Sequence, residues 1–117
     1  MAGNNELLAR DVLLNHPLLN HPSRGRGQAR SFFNAYWSAF KNVDLQVTHS
    51  KCGLGVNAFR WVFEADHVSR FFGIAASGKR IHHQGVSVCV TSTNGEVEQM
   101  YINENLIVLL GQIEAGT

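Results

Sequence analysis

Ala29, Phe32, Phe33, Tyr36, Trp37 and Phe40 recur at i, i+3, i+4, i+7, i+8 and i+11, the spacing of one face of an α-helix. So aromatic a stripe must be buried, and a chain of 117 residues has a single core in which to bury it. The expected partner is a sheet, because the pattern turns to strands after Lys41. Leu45 and Val47 alternate, Val56–Ala65 is rich in aromatic and branched residues, and residues 80–91 continue the pattern. A last strand is expected from about Glu96 through Tyr101 towards Val108. Lys51-Cys52-Gly53-Leu54-Gly55 reads as a turn. Thr93-Asn94-Gly95, with Asn-Gly between two alternating runs, is the strongest hairpin signal in the chain. One aromatic helix followed by antiparallel strands predicts an α+β domain, with helices on one face of the sheet and residues 1–117 as a single unit.

Ahead of the stripe, Leu7, Leu8, Val12 and Leu13 permit a short amphipathic helix over residues 6–14, ended by Asn15-His16-Pro17. His21-Pro22-Ser23 and Arg24-Gly25-Arg26-Gly27 then form a loop that presents a helix start. The hydrophobic fraction of 44% with 16% charged residues is globular composition, and a net charge of +1 gives no overall field for nucleic acid or an anionic membrane. No apolar run approaches the roughly 18 residues of a membrane span, and no secretory pattern opens the chain. A cytoplasmic protein is the expectation. Cys52 and Cys89 could pair, but Cys89 lies in an apolar run and reads as a buried thiol. Val86, Val88 and Val90, like Leu106–Leu110, read as core strands or a subunit interface.

His67–Arg80 (HVSRFFGIAASGKR) resembles the signature of the SnoaL-like polyketide cyclases, part of the NTF2-like superfamily: a histidine, a short spacer, an aromatic-Gly-Ile, and a Gly-basic pair entering a strand. Arg60-Trp61 is similar to the family's Arg-Trp strand motif. Pro22–Phe40 resembles its loop and aromatic helix. Gly85-Val86, Asn94-Gly95 and Leu109-Leu110-Gly111-Gln112-Ile113 resemble its glycine-containing strand, its turn and its Leu-Leu-x-Gln-Leu ending. The resemblance covers most of residues 6–113. It implies an NTF2-like cone, a curved antiparallel sheet with helices packed on its concave side around an apolar pocket. It also implies a dimer, no metal or organic cofactor, and ring closure by intramolecular aldol chemistry in which an acidic side chain takes a proton from activated carbon. Relatives on the fold include isomerases, epoxide hydrolases and binding modules, so the fold alone does not fix the chemistry.

The sequence departs from the family pattern in three places. Gln99 and Asn105 stand where the family often has Glu and Asp, and amides do not act as general bases. Leu54-Gly55 replaces a Gly-Asp turn. The chain begins about where the family's second helix begins, so the first family helix is expected to be missing, with a homodimer covering the exposed cone and exchange of N-terminal segments as one way to build it.

The candidate catalytic residues are His67 and His83, each a possible carbonyl ligand or proton carrier. His67 read alone is as readily a histidine bonded to loop backbone. Strand alternation sends His82 to the face opposite His83. Tyr36, Arg60, Trp61, Gln99, Tyr101 and Asn105 are the candidate substrate contacts. A carboxylate inside the cone would have a raised pKa and could act as a base. If Gln99 and Tyr101 face inward, however, Glu98 faces out, and none of Glu64, Asp66, Glu98 and Glu104 is assigned. The six histidines lack zinc-motif spacing, and one Arg-Gly-Arg-Gly copy is a weak nucleic-acid signal. The expected function is binding of a small, mostly apolar carbonyl compound, with cofactor-independent cyclase or isomerase activity. The alternatives are a ligand-binding member without turnover and a dimeric interaction module.

Overall fold

The change of periodicity after the aromatic stripe is where the chain turns its corner. In the computed structural model, which describes residues 7–114, helix α1 runs Arg26–Trp37 and strand β3 runs Phe40–Cys52. Gly25 caps α1 at φ 108°, a left-handed conformation suited to glycine, and its N–H bonds the Val12 carbonyl. The arginines around it are drawn back onto the first strand: Arg26 Nε donates to the Leu8 carbonyl and Arg24 to that of Asp11. The stripe then divides. Ala29, Phe32 and Tyr36 are buried, Trp37 stays 39% exposed, and Phe40, expected on the same helical face, is instead the buried first residue of β3.

Strand β1 is Leu8–Asn15, β2 Ser23–Arg24, β4 Val56–His67, β5 Arg80–Thr91 and β6 Val97–Glu104; helix α2 is Leu106–Glu114. The six strands form one curved, unclosed sheet in the order β2-β1-β6-β5-β4-β3. Four of its pairings are antiparallel and β1 runs parallel to β6. The α+β class stands, and the expected antiparallel sheet is corrected to a mixed one. A parallel neighbour needs a long connection rather than a hairpin, and nothing local in the sequence marks that pairing.

The helix expected over 6–14 is also corrected: residues 8–15 are strand, and Glu6 lies outside the described residues. A register irregularity between Leu8 and Leu13 changes the strand's parity, so Ala9 and Val12, three apart, are both buried, followed by Leu14. A bulged strand thus imitates helical spacing. At the other end, β6 stops at Glu104 instead of running to Val108. Asn105 accepts the Val108 N–H on its side-chain oxygen, the position and bond of a helix cap. Leu106, Leu109, Leu110 and Ile113 fall at i, i+3, i+4 and i+7, and Leu109 and Ile113 are fully buried. The end of β6 leaves residues 80–84 of β5 without a strand neighbour on that side. The Gln112 amide takes that place: its Nε2 donates to the His82 carbonyl at 2.5 Å, and its Oε1 accepts the His82 N–H at 2.7 Å.

The expected turns are present. Gly53 N–H bonds the Val56 carbonyl, and Ser92–Glu96 closes the β5–β6 hairpin with Gly95 at φ 86°. Between β4 and β5 the loop 68–79 is pinned at its base by His67. The Ser77 N–H donates to His67 Nδ1 at 3.1 Å, with the Ser77 hydroxyl at 2.8 Å from the same nitrogen. His67 also exchanges backbone bonds with Gly78 and Lys79.

Candidate functional site

Inward-facing side chains follow from the registers. On β4 these are Phe59, Trp61 and Phe63, and on β5 His83, Gly85, Ser87 and Cys89. On β6 they are Met100, Ile102 and Glu104. With Phe32, Phe33, Tyr36 and Trp37 of α1, and Leu45 and Val47 of β3, they line a half-open cavity of about 330 Å³ whose wall is overwhelmingly apolar. Its concentrated polarity is at one end, where His16, Tyr36 and Glu104 line it and His83 lies behind them, its ring 5.1 Å from that of Phe63 and 5.6 Å from that of Trp61.

Glu104 is the centre of this cluster and is 7% exposed. Its Oε2 is 2.5 Å from His16 Nε2, and its Oε1 is 2.6 Å from the Tyr36 hydroxyl and 2.8 Å from His83 Nε2. Burial by itself would raise its pKa. The hydrogen bonds from His16, His83 and Tyr36, with attraction to His16, outweigh burial and hold it down at about 2. The sequence-based expectation of a raised pKa for an inward carboxylate is therefore reversed here, because desolvation is met by three donors. An ionised carboxylate only accepts, so all three partners donate to it. Tyr36 keeps its proton: burial and the adjacent carboxylate push the phenol far above its usual range.

The protons on the two imidazoles follow from their second nitrogens. Leu18 N–H donates to His16 Nδ1 at 3.0 Å, so that nitrogen is bare and the ring proton sits on Nε2, facing Glu104. His83 Nδ1 is buried without a partner. A bare lone pair is cheaper to bury there than an unmatched N–H, which places the His83 proton on Nε2 as well. The cluster is thus one anion held by three donors. Both Nε2 atoms point at the carboxylate itself, and among the described residues no group of His, Cys, Asp and Glu could hold a metal ion.

Of the sequence candidates, the structure brings Tyr36, Trp61 and His83 to the cavity or its floor and leaves the others elsewhere. His82 lies on the opposite face from His83, as alternation required. Gln99 and Tyr101 were expected inward and are corrected: Met100, Ile102 and Glu104 have the inward parity, so Gln99 and Tyr101 share the outer face. Their side chains bond each other through the Tyr101 hydroxyl and Gln99 Oε1. Arg60 is one residue from Trp61 and therefore also faces out, exposed. Asn105 is the cap of α2, outside the cavity wall. His67 is fully buried against Phe40 and Phe71, away from the cavity lining; burial lowers its pKa, and its Nε2 has no partner.

Sequence reasoning missed His16 and Glu104 as a pair. Glu104 carried a usable signal, since it continues the Met100–Ile102 alternation by two. His16 carried none, because its place depends on the parallel β1–β6 pairing, which brings it to a residue 88 positions away.

The comparisons agree with this architecture. The family model for SnoaL-like polyketide cyclases matches residues 1–113. A protein from Jannaschia sp. CCS1 described as SnoaL-like polyketide cyclase superimposes with a TM-score of 0.88 at 18% identity, over 96% of this chain and 76% of that one. The epoxide hydrolase/cyclase-like enzyme SalBIII gives 0.72 at 16% identity, over 92% and 79%. An NTF2-like protein of unknown function from Exiguobacterium sp. 255-15 gives 0.69 at 10% identity, over 89% and 81%. At these identities the structures establish the shared NTF2-like fold. No curated protein matches the sequence. No helix among the described residues is long and apolar enough to cross a membrane.

Proposed function

From the premise that this chain belongs to the SnoaL-like polyketide cyclase family, we propose that it binds a small, mostly apolar carbonyl compound in the 330 Å³ cavity and moves a proton on the carbon beside that carbonyl. The observation that carries this reading is the ionised Glu104 carboxylate at the end of an otherwise apolar wall. In the proposed step Glu104 takes a proton from the activated carbon: the C–H bond breaks, an O–H bond forms on the carboxyl, and the electron pair moves onto the carbonyl oxygen as an enolate. Tyr36, which donates to Glu104 in the free protein, turns its proton to the enolate oxygen. The same movement makes Glu104 a better base, because each donor withdrawn from a carboxylate raises its pKa. The enolate then attacks a second carbonyl to close a ring, or is reprotonated elsewhere in an isomerisation. The relative SalBIII has a role in pyran ring formation, which supports ring-forming chemistry on this fold as an analogy. His83 holds the carboxylate, and His67 has no part in the step.

The test is solvent-deuterium exchange into an activated 1,3-diketone. Wild-type protein should accelerate it, and Glu104→Gln should lose about 100-fold or more of that rate. Equal rates in the two proteins would sink the proposal. The second reading, binding without turnover, is favoured by one observation: three donors hold Glu104 at about 2, a weak base. Ligand binding by wild-type protein with no exchange above the solvent rate would establish it. We also propose a cytoplasmic homodimer. The free thiols Cys52 and Cys89 support a reducing compartment. The exposed apolar side chains of the outer sheet face support self-association: Val56, Val86 and Tyr101 are 47%, 44% and 41% exposed.

A further inference from the structure

Gly85 is buried and sits directly opposite Trp61 across the β4–β5 pair. A Cβ there would overlap the Trp61 ring and come within 2.7 Å of the Asn103 carbonyl oxygen, so glycine is what lets the indole lie over β5 at this point. So placed, the ring reaches the next inward residue of β5: Trp61 Nε1–H donates to Ser87 Oγ at 3.0 Å. An indole N–H can only donate. It therefore occupies an acceptor position on the hydroxyl and leaves the hydroxyl's own proton to be given away. Among the described residues the hydroxyl's one bond is the one it accepts from Trp61, and Ser87 lines the cavity. In the β5–β6 register Ser87 faces Ile102, whereas Gly85 faces Glu104. The hydroxyl thus stands one inward repeat, about 7 Å of strand, from the Glu104 position.

We infer that Ser87 is a specificity-determining residue that donates a hydrogen bond to a second oxygen of the ligand, an ether, ester or ketone oxygen lying about 7 Å from the carbonyl over Glu104. Trp61 is its positioning residue, and Gly85 gives Trp61 its room. This rests on the reading that the cavity holds a carbonyl compound, and it adds the ligand's second functional group. A methylene at this point would displace solvent from the Ser87 hydroxyl and give its proton no acceptor in return, so the site tells oxygen from CH₂.

The probes are 6-methoxy-1-tetralone and 6-ethyl-1-tetralone, which share the ketone and differ by oxygen against CH₂ at the far end. Calorimetry should show the wild-type protein binding the methoxy compound about tenfold more tightly. In Ser87→Ala the two should bind alike, with the ethyl compound within about twofold of its wild-type affinity. Ser87→Cys, which keeps the size and only a weak donor, should lose most of the preference. Trp61→Phe returns an acceptor position to Ser87. There 6-hydroxy-1-tetralone, whose hydroxyl also donates, should gain on the methoxy compound, a shift that mere loosening of the wall would not produce. A preference that survives in Ser87→Ala overturns the role of Ser87 and leaves the cavity reading intact. Failure of both ketones to bind wild-type protein overturns the cavity reading, and this inference with it.

Discussion

At the residue scale the governing fact is that Glu104 is buried as an anion, and its neighbours explain how. Two oxygens receive donors from the end of β1, from α1 and from β5, so the cost of desolvation is offset by bonds that are strongest when the carboxyl is ionised. Stability must therefore depend on pH. The folded pKa, about 2, lies below the ordinary value of 4.5. The contribution is thus fully present above about pH 4.5 and is lost as pH falls towards 2, with a size on the order of 3 kcal/mol. Urea denaturation of wild type and Glu104→Gln across pH 5 to 2 isolates it. Asp66, also lowered by its bonds to Asn42 and Arg80, titrates in both proteins and cancels. The wild-type advantage should shrink towards the acid end, and a pH-independent difference would contradict the ionised state assigned to Glu104. Tyr36→Phe removes one donor and should cost about 1–3 kcal/mol while raising the Glu104 pKa. This chemistry was half visible in the sequence. Tyr36 and His83 could be placed on faces by local periodicity, while His16 could not, because its ring reaches Glu104 only through a pairing made by distant segments.

The elements show why some stretches read correctly and others did not. Helix α1 and strands β4 and β5 declare themselves because their periods are unbroken: the aromatic stripe at 29–37, and the alternation that buries His83 and exposes His82. Strand β1 breaks its own period at a bulge, and α2 begins in an apolar run whose type a short window does not fix. Asn105 shows the same limit at a boundary, since an amide at the end of a strand reads equally as a substrate contact and as the cap it is. The edge of β5 is finished by a side chain rather than a strand. Gln112→Ala should therefore destabilise the protein by about 1–2 kcal/mol and speed hydrogen exchange at the His82 amide, leaving the Trp61 amide protected. Unchanged exchange at His82 would show that the Gln112 bonds do not hold in solution. Gly85→Ala is the harsher change, costing about 1–3 kcal/mol by overpacking Trp61 against β5.

On the scale of the whole molecule, the sheet has two unlike faces. The inner face is covered by α1 and closes on Glu104; the outer face carries Val56, Val86, Val88, Val90 and Tyr101 on three adjoining strands. If that face is the dimer contact, Val88→Glu should turn a dimer into a monomer in sedimentation while leaving diketone exchange measurable, and a wild-type protein that sediments as a monomer would refute the assembly. The α+β class, the aromatic helix, the hairpin at Thr93-Asn94-Gly95 and the family were legible from residues alone, because each is written in contacts between residues close along the chain or in motifs kept in order. The parallel β1–β6 pairing, the inward parity of β6 and the meeting of His16 with Glu104 emerged only from the folded chain. The reason is physical: a strand's facing is set by its neighbour's register, and one bulge or one misjudged residue turns every side chain beyond it to the other side.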